Sequence, residues 1–256
     1  MCAGSSPAGG TKPHLGREHR GGRNQDSGDH GVRNARVNSV RSAGRGPLGA
    51  ERGRVPMMET DFDIRPVTLE GKHVRLEPLA RDHLDGIVAA GSFPEVWSWL
   101  SVRPSGREGF RQWLETALAA QATGTELPFA TFDRASGEIV GSTRYLNIDR
   151  PSRRLEIGWT WITPRMQRTY VNTEAKYLQL THCFEVLGCR RVELKTDARN
   201  EKSRNAMLRI GAQFEGIARK QMLTFDGTNR DNAWFAFIDD DWPSVKARLE
   251  AMLRRG

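Results

Sequence analysis

The chain has 256 residues and a formal net charge of +8, but residues 1–54 hold ten Lys and Arg against four Asp and Glu, so +6 of the charge lies there and only +2 elsewhere. A nucleic-acid partner inferred from the whole-chain charge would rest on that first fifth alone, and none is expected. Cys2, Cys183 and Cys189 are too few and uneven for a disulfide framework, no Cys or His pair has metal-ligand spacing, and no apolar run approaches the roughly 20 residues of a membrane span, so a cytoplasmic protein without metal or membrane is expected.

The first segment contains 12 of the 26 glycines, no Phe, Tyr or Trp, and only isolated aliphatics. It cannot bury enough apolar surface to offset the entropy of ordering, and the expectation is a disordered Gly/Arg-rich extension over 1–56. It has no apolar h-region and too many glycines for an amphipathic targeting helix. A basic arm for RNA or membranes is the alternative, opposed by the dispersal of its charges. Met57 and Met58 stand just before the first patterned sequence and offer another start, so 57–256 is read as one domain.

Alternation of Val74, Leu76 and Pro78 with Arg75 and Glu77 predicts a strand over 72–79. Asp82 is placed to cap a helix ending at Gly91, and a short aromatic helix is expected over 94–100. Phe110, Trp113, Leu114, Ala117, Leu118 and Gln121 fall on one helical stripe, with Gly124 as C-cap. Strands over 129–133 and 138–147 form a hairpin about residues 134–137. A strand over 155–163 stops at Pro164, a loop covers 164–172, and a helix runs over 173–187 to Gly188. Val192 and Leu194 mark the next strand, Asn200 caps a helix that stops at Gly211, and two strands meet at Asp226-Gly227. A last helix opens at Asp241-Trp242-Pro243. This order implies an α/β (mixed α+β) fold: a central mixed sheet of seven strands with helices on both faces.

The junction from strand 155–163 into helix 173–187 is the informative place. Unpaired amides and the positive end of a helix dipole hold phosphate well. The loop reads Gln167-Arg168-Thr169-Tyr170-Val171-Asn172-Thr173, and Arg168 and Lys176 could add counter-charge. The alternative is an ordinary capped helix with solvated basic residues.

Leu155-Glu156-Ile157-Gly158-Trp159, Gln167-Arg168-Thr169 and Val171-Asn172-Thr173-Glu174-Ala175-Lys176 resemble the cofactor region of the ribosomal-protein-alanine acetyltransferase-like (RimJ/RimL-type) branch of the GNAT superfamily. Lys195-Thr196-Asp197, Asn200-x-x-Ser203 and Arg209-Ile210-Gly211-Ala212 resemble its next block, and the resemblance spans about residues 66–242. It implies a GNAT fold with acetyl-CoA as co-substrate. Strands 155–163 and 191–196 would splay apart, the pantetheine arm pairing with main chain near Trp161 and Ile162. The pyrophosphate would sit on the amides of Gln167, Arg168, Thr169, Tyr170, Val171, Asn172 and Thr173. Asn200 would bond the cofactor's amide region and Ser203 would lie near the thiol; as plain structure they are an N-cap and a first-turn residue.

Two departures from the family's pattern stand out. Tyr170 and Asn172 occupy places where glycine is usual, and glycine permits positive φ and close approach. Met207 stands where many relatives carry a tyrosine acid, leaving Ser203 as the nearest candidate.

The implied reaction is N-acetyl transfer to a primary amine by direct attack in a ternary complex, the acceptor being a protein N-terminus or a small molecule. An amine must lose a proton before attack, and Glu156 is the preferred base, directly or through water; bonded to a basic neighbour such as Arg144 it would be structural. Trp97 and Trp99 lie where this fold builds its acceptor wall, though a Trp-x-Trp in a short helix also reads as core. A homodimer is compatible with the sequence. The competing reading is a degenerate GNAT domain that binds CoA or acts as a scaffold without turnover, with Tyr170 and the missing tyrosine acid in its favour.

Overall fold

The computed structural model describes residues 62–255, so the expected extension over 1–56 lies outside the described residues. Eight strands form one sheet: β1 (Leu69–Glu70), β2 (Val74–Pro78), β3 (Leu127–Asp133), β4 (Ile139–Asp149), β5 (Arg154–Ile162), β6 (Arg191–Asp197), β7 (Gln213–Leu223) and β8 (Asn229–Ile238). Their order is β1-β2-β3-β4-β5-β6-β8-β7, one strand more than expected because β1 adds a two-residue edge. Every pair is antiparallel except β5 with β6. A parallel neighbour needs a crossover, and helix α3 (Tyr170–Thr181) supplies it.

Two apolar layers explain why β3 and β4 are buried along nearly their whole length. On one face α1 (Leu84–Gly91) and α2 (Gly106–Ala122) bring Ile87, Phe110, Trp113, Leu114 and Ala117 against Ala130, Ile139 and Trp161. On the other, Val171, Ala175 and Leu180 of α3 and Trp242, Val245 and Leu249 of α5 (Trp242–Leu253) cover Leu76, Phe129, Tyr145, Ile157, Val192 and Phe235. Helix α4 (Glu201–Arg209) adds Met207, with Ile210 just beyond it, to the same layer.

Local chemistry decides several boundaries. Thr169 caps α3, its Oγ1 accepting the Val171 amide at 3.3 Å, so the helix starts at Tyr170 rather than 173. After Thr181 the helix widens into a π-turn, His182–Val186. Asn200 caps α4 as expected, its Oδ1 accepting the Ser203 amide at 3.1 Å. Asp82 caps nothing: it sits exposed in a 3-10 turn, Arg81–His83, and the Ala80 amide is instead taken by His83 Nδ1 at 3.2 Å. The aromatic helix expected over 94–100 is a single 3-10 turn, Pro94–Trp97.

One buried carboxylate fastens α3 to the opposite edge of the sheet. Glu174, 4% exposed, accepts the amides of Lys72 at 2.6 Å and His73 at 2.9 Å in the β1–β2 turn. Gly71 makes room for it, because a Cβ there would lie 2.5 Å from Glu174 Oε1. Bonds to a charged acceptor contribute about 1.5–3 kcal/mol each, and truncation leaves two amides without a partner. Glu174→Ala should therefore lower unfolding free energy by roughly 2–4 kcal/mol in urea titrations, with Glu174→Gln recovering part of the loss.

Candidate active site

Strands β5 and β6 pair at only three positions, Arg154 with Arg191, Leu155 with Val192 and Glu156 with Glu193. Beyond Glu156 they diverge, and β5 runs on to Ile162 with its main chain facing a gap. The gap opens into a cleft of about 1030 Å³, bordered by β5, β6, the start of α3, α4 and the segment around Trp99.

A bulge shapes the cleft side of β5. Ser142 lies opposite Trp161 and Arg144 opposite Gly158, so Trp159 and Thr160 together face Thr143 alone. Trp159 takes φ +52°, which turns the strand at this point, and the Arg144 guanidinium lies 4.9 Å from its ring centre. Gly141 allows the strands to approach, since a Cβ there would sit 2.3 Å from the Trp161 carbonyl oxygen.

The helix terminus faces the same cleft. The first-turn amides of α3 have no main-chain acceptor within the helix, that of Val171 being taken by Thr169 Oγ1, and Gln167, Arg168, Thr169 and Asn172 line the cleft beside them. Gln167 Nε2 donates to the Ile162 carbonyl at 2.9 Å, and its Oε1 accepts from Lys202 on α4. Arg209, also on α4, lines the cleft and reaches Thr173 Oγ1 at 3.3 Å with both Nη atoms. Arg168, Lys202 and Arg209 thus set three basic side chains around one helix N-terminus, a chemistry suited to phosphate groups.

Tyr170 answers the first departure. Its hydroxyl donates to Asp133 Oδ1 at 2.6 Å and its ring packs, tilted by 34°, against His73 at 4.7 Å, so the side chain leaves the cleft for the end of β3. That bond, with those from Ser136, holds the Asp133 carboxyl below its usual range. The positive φ of this turn, +64°, belongs to Arg168, whereas Tyr170 and Asn172 are helical. Neither glycine place requires a glycine here. Val171 and Thr173 are buried with their side chains away from the cleft lining, leaving only their main chain for the role expected of them.

The remaining expected residues divide cleanly. Trp161, Ile162, Asn200, Ser203, Glu156 and Trp99 line the cleft. Trp97 does not: it is 1% exposed among Phe110, Trp113 and Trp161, with Nε1 donating to the Gly91 carbonyl at 2.7 Å, and it belongs to the core. Glu156 is 2% exposed, and its Oε2 accepts from Lys195 Nζ at 2.8 Å and Asn147 Nδ2 at 2.7 Å. Arg144, the partner considered for it from sequence, pairs with Glu126 at 2.8 Å instead.

Lys176 is the site residue whose position the sequence did not show. Rather than supplying counter-charge at the helix terminus, it is 4% exposed beneath the bulge. Its Nζ donates to Thr160 Oγ1 at 3.0 Å, Gln179 Oε1 at 3.0 Å and Thr143 Oγ1 at 3.3 Å. Asn172, Lys176 and Gln179 share one helical stripe at i, i+4 and i+7, which was the available signal. Among the described residues no group of His, Cys, Asp and Glu could hold a metal ion, and no helix is long and apolar enough to cross a membrane.

A mixed sheet parted over a basic helix N-terminus offers both main-chain groups and an anion site to one ligand. The chain belongs to the acetyltransferase (GNAT) domain family, whose model matches residues 73–213. It is 31% identical over 110 residues to the Bacillus subtilis protein named "Putative ribosomal N-acetyltransferase YdaF", covering 43% of this chain and 59% of that one, or under two thirds of the relative's length. A GCN5-related N-acetyltransferase structure from Brucella melitensis is 37% identical with a TM-score of 0.69, covering 73% of this chain and 86% of that one. RimJ of Mycobacterium smegmatis in complex with CoA-disulfide shares the fold at 22% identity, with a TM-score of 0.65 and coverage of 75% and 98%.

Burial pushes the Lys176 ammonium down to about 7, with no carboxylate among its hydrogen-bond partners in the described residues. In the unfolded chain the same lysine keeps its proton to about 10.4. Between these values the unfolded state binds more protons, so this residue makes stability rise with pH there and leaves it flat below. Relative to Lys176→Met, the parent's unfolding free energy should therefore gain up to about 1.4 kcal/mol per pH unit above neutrality. Urea titrations from about pH 6 to 9.5 check the slope; a difference independent of pH would mean that the lysine titrates normally.

Proposed function

We propose that the chain transfers an acetyl group from acetyl-CoA to a primary amine by direct attack in a ternary complex. The observation that carries the reading is the gap beyond Glu156, which leaves β5 main chain exposed alongside a basic helix terminus. Arg168, Lys202, Arg209 and the first-turn amides of α3 would hold the diphosphate. The main chain of Trp161 and Ile162 would hold the pantetheine arm, with Asn200 and Ser203 near its reactive end. When bound, acetyl-CoA supplies the activated acyl group. Tyr170 no longer favours a domain without turnover, because its side chain is spent on Asp133.

In this reading Glu156 takes the amine's proton, directly or through water. Lys195 and Asn147 both bind Oε2, and the other carboxylate oxygen serves as acceptor. Ser203, at the start of α4, donates to the departing sulfur. Trp99, half-exposed on the cleft wall, contacts the acceptor. The acceptor is a protein N-terminus or a small amine, and the ribosomal name of the Bacillus relative supports the former. The setting is the cytoplasm, and a chain beginning at Met57 retains the activity, a reading supported by the lack of aromatic residues and clustered aliphatics in residues 1–54.

Incubation with acetyl-CoA and a panel of amines, following free thiol, tests the reading. Acetyl-CoA at about 100 times its dissociation constant should also stabilise the protein by about 2.7 kcal/mol. Glu156→Gln should lower kcat by about 10² to 10⁴ with little change in acetyl-CoA affinity, and the deficit should shrink as pH rises and free amine accumulates. A folded variant with full activity from about pH 6 to 9 would move the base role elsewhere.

A further inference from the structure

The cleft's far end holds a buried cation that the proposed chemistry does not use. Arg230 of β8 lines the cleft and is 6% exposed. Its Nε donates to Asn232 Oδ1 at 2.7 Å and one Nη to the Trp99 carbonyl at 2.6 Å. A guanidinium has five N–H donors, so three remain. Burial lowers its pKa, and the carboxylates that act on it, Asp197 and Glu156, are each paired with another cation: Asp197 with Arg199 at 2.7 Å, Glu156 with Lys195 at 2.8 Å. Among the described residues no carboxylate oxygen lies within 4.0 Å of Arg230. In the same lining, two residues beyond Trp99, the Ser101 hydroxyl is buried without a partner among the described residues. Glu95, another acid of the lining, is exposed to solvent, which screens it.

A buried charge with no carboxylate in direct contact is unfavourable unless something completes it, and a carboxylate fits the open fork of a guanidinium with two parallel bonds. We infer that Arg230 and Ser101 receive a carboxylate carried by the acceptor on a short tether from its amine, and that Arg230 sets acceptor preference. The inference rests on the acetyl-transfer reading and deepens it. The carboxylate has two sources: the acid group of a free amino acid, or an acidic side chain next to a protein's N-terminus. Trp99, whose carbonyl Arg230 holds, forms the wall beside it.

Matched acceptors test this: β-alanine against propylamine, and dipeptide amides ending in glutamate against glutamine. The parent should prefer the acidic member of at least one pair by roughly 10- to 100-fold in kcat/KM, the pair telling which source applies. Arg230→Gln should abolish the preference mainly through KM of the acidic member, whatever its effect on propylamine. Arg230→Lys, which keeps charge and lacks the fork, should fall between. The preference is a ratio within one protein, so partial unfolding of a variant does not alter it.

Binding of N-acetyl-β-alanine, measured by calorimetry, separates the two readings. If no amine is acetylated yet this acid binds the parent and not Arg230→Gln, the transfer reading fails and the anion site stands. Acetylation without preference for acidic acceptors, or with the same preference in Arg230→Gln, overturns the inference and leaves the transfer reading intact. If the acid binds neither protein and no amine reacts, both are wrong.

Discussion

The cleft depends on a parallel strand pair that stops after three residues. Were β5 and β6 to stay together, each main-chain group of β5 would be used in the ladder and no cleft would exist. They part because the crossover helix, the bulge at Trp159 and the antiparallel pairing of β6 with β8 pull the two strands to different neighbours. The energy forgone is a few inter-strand bonds. What is gained is a row of directional donors and acceptors fixed by a rigid sheet.

Holding such a gap open requires the surrounding elements to be tied independently of it. Glu174 does this from the side of α3, reaching past β2 to the turn before it. Lys176 does it from beneath, bonding Thr143 and Thr160 of the bulge, with Gln179 bonded to Lys176 and Thr143. On the opposite face a cluster of three tryptophans, Trp97, Trp113 and Trp161, packs behind the cleft wall with Phe110. Helix α3 thus carries three duties along its length: amides at its start, an anchoring acid at Glu174, and a buried polar stripe further on.

Much of this was legible in the sequence where a local rule suffices. Alternation located β2 and β6, the Phe110 stripe located α2, and Asn200 and Gly211 bracketed α4. The resemblance to the family supplied the splay and the loop that matters. What escaped were facts set by distant partners. Trp97 and Trp99 are two residues apart and look alike in sequence, yet one is fixed in the core by Phe110 and Trp113 and the other faces the cleft. Lys176 looks like any surface lysine of a helix until the sheet above it is known. Asp82 is a good cap by type, but the chain enters α1 through a 3-10 turn in which His83 takes the amide.

The Tyr170–Asp133 bond has an implication for how quickly and tightly a large anionic ligand can be received. A glycine-bearing turn is supple, and each residue that stiffens when the ligand arrives subtracts about 1–2 kcal/mol of backbone entropy from affinity. Here the turn is moored to β3 from behind, and its left-handed residue is an arginine already committed to that conformation. On the acetyl-transfer reading the receptor is set before the guest comes, so little of the binding energy is lost to ordering the turn.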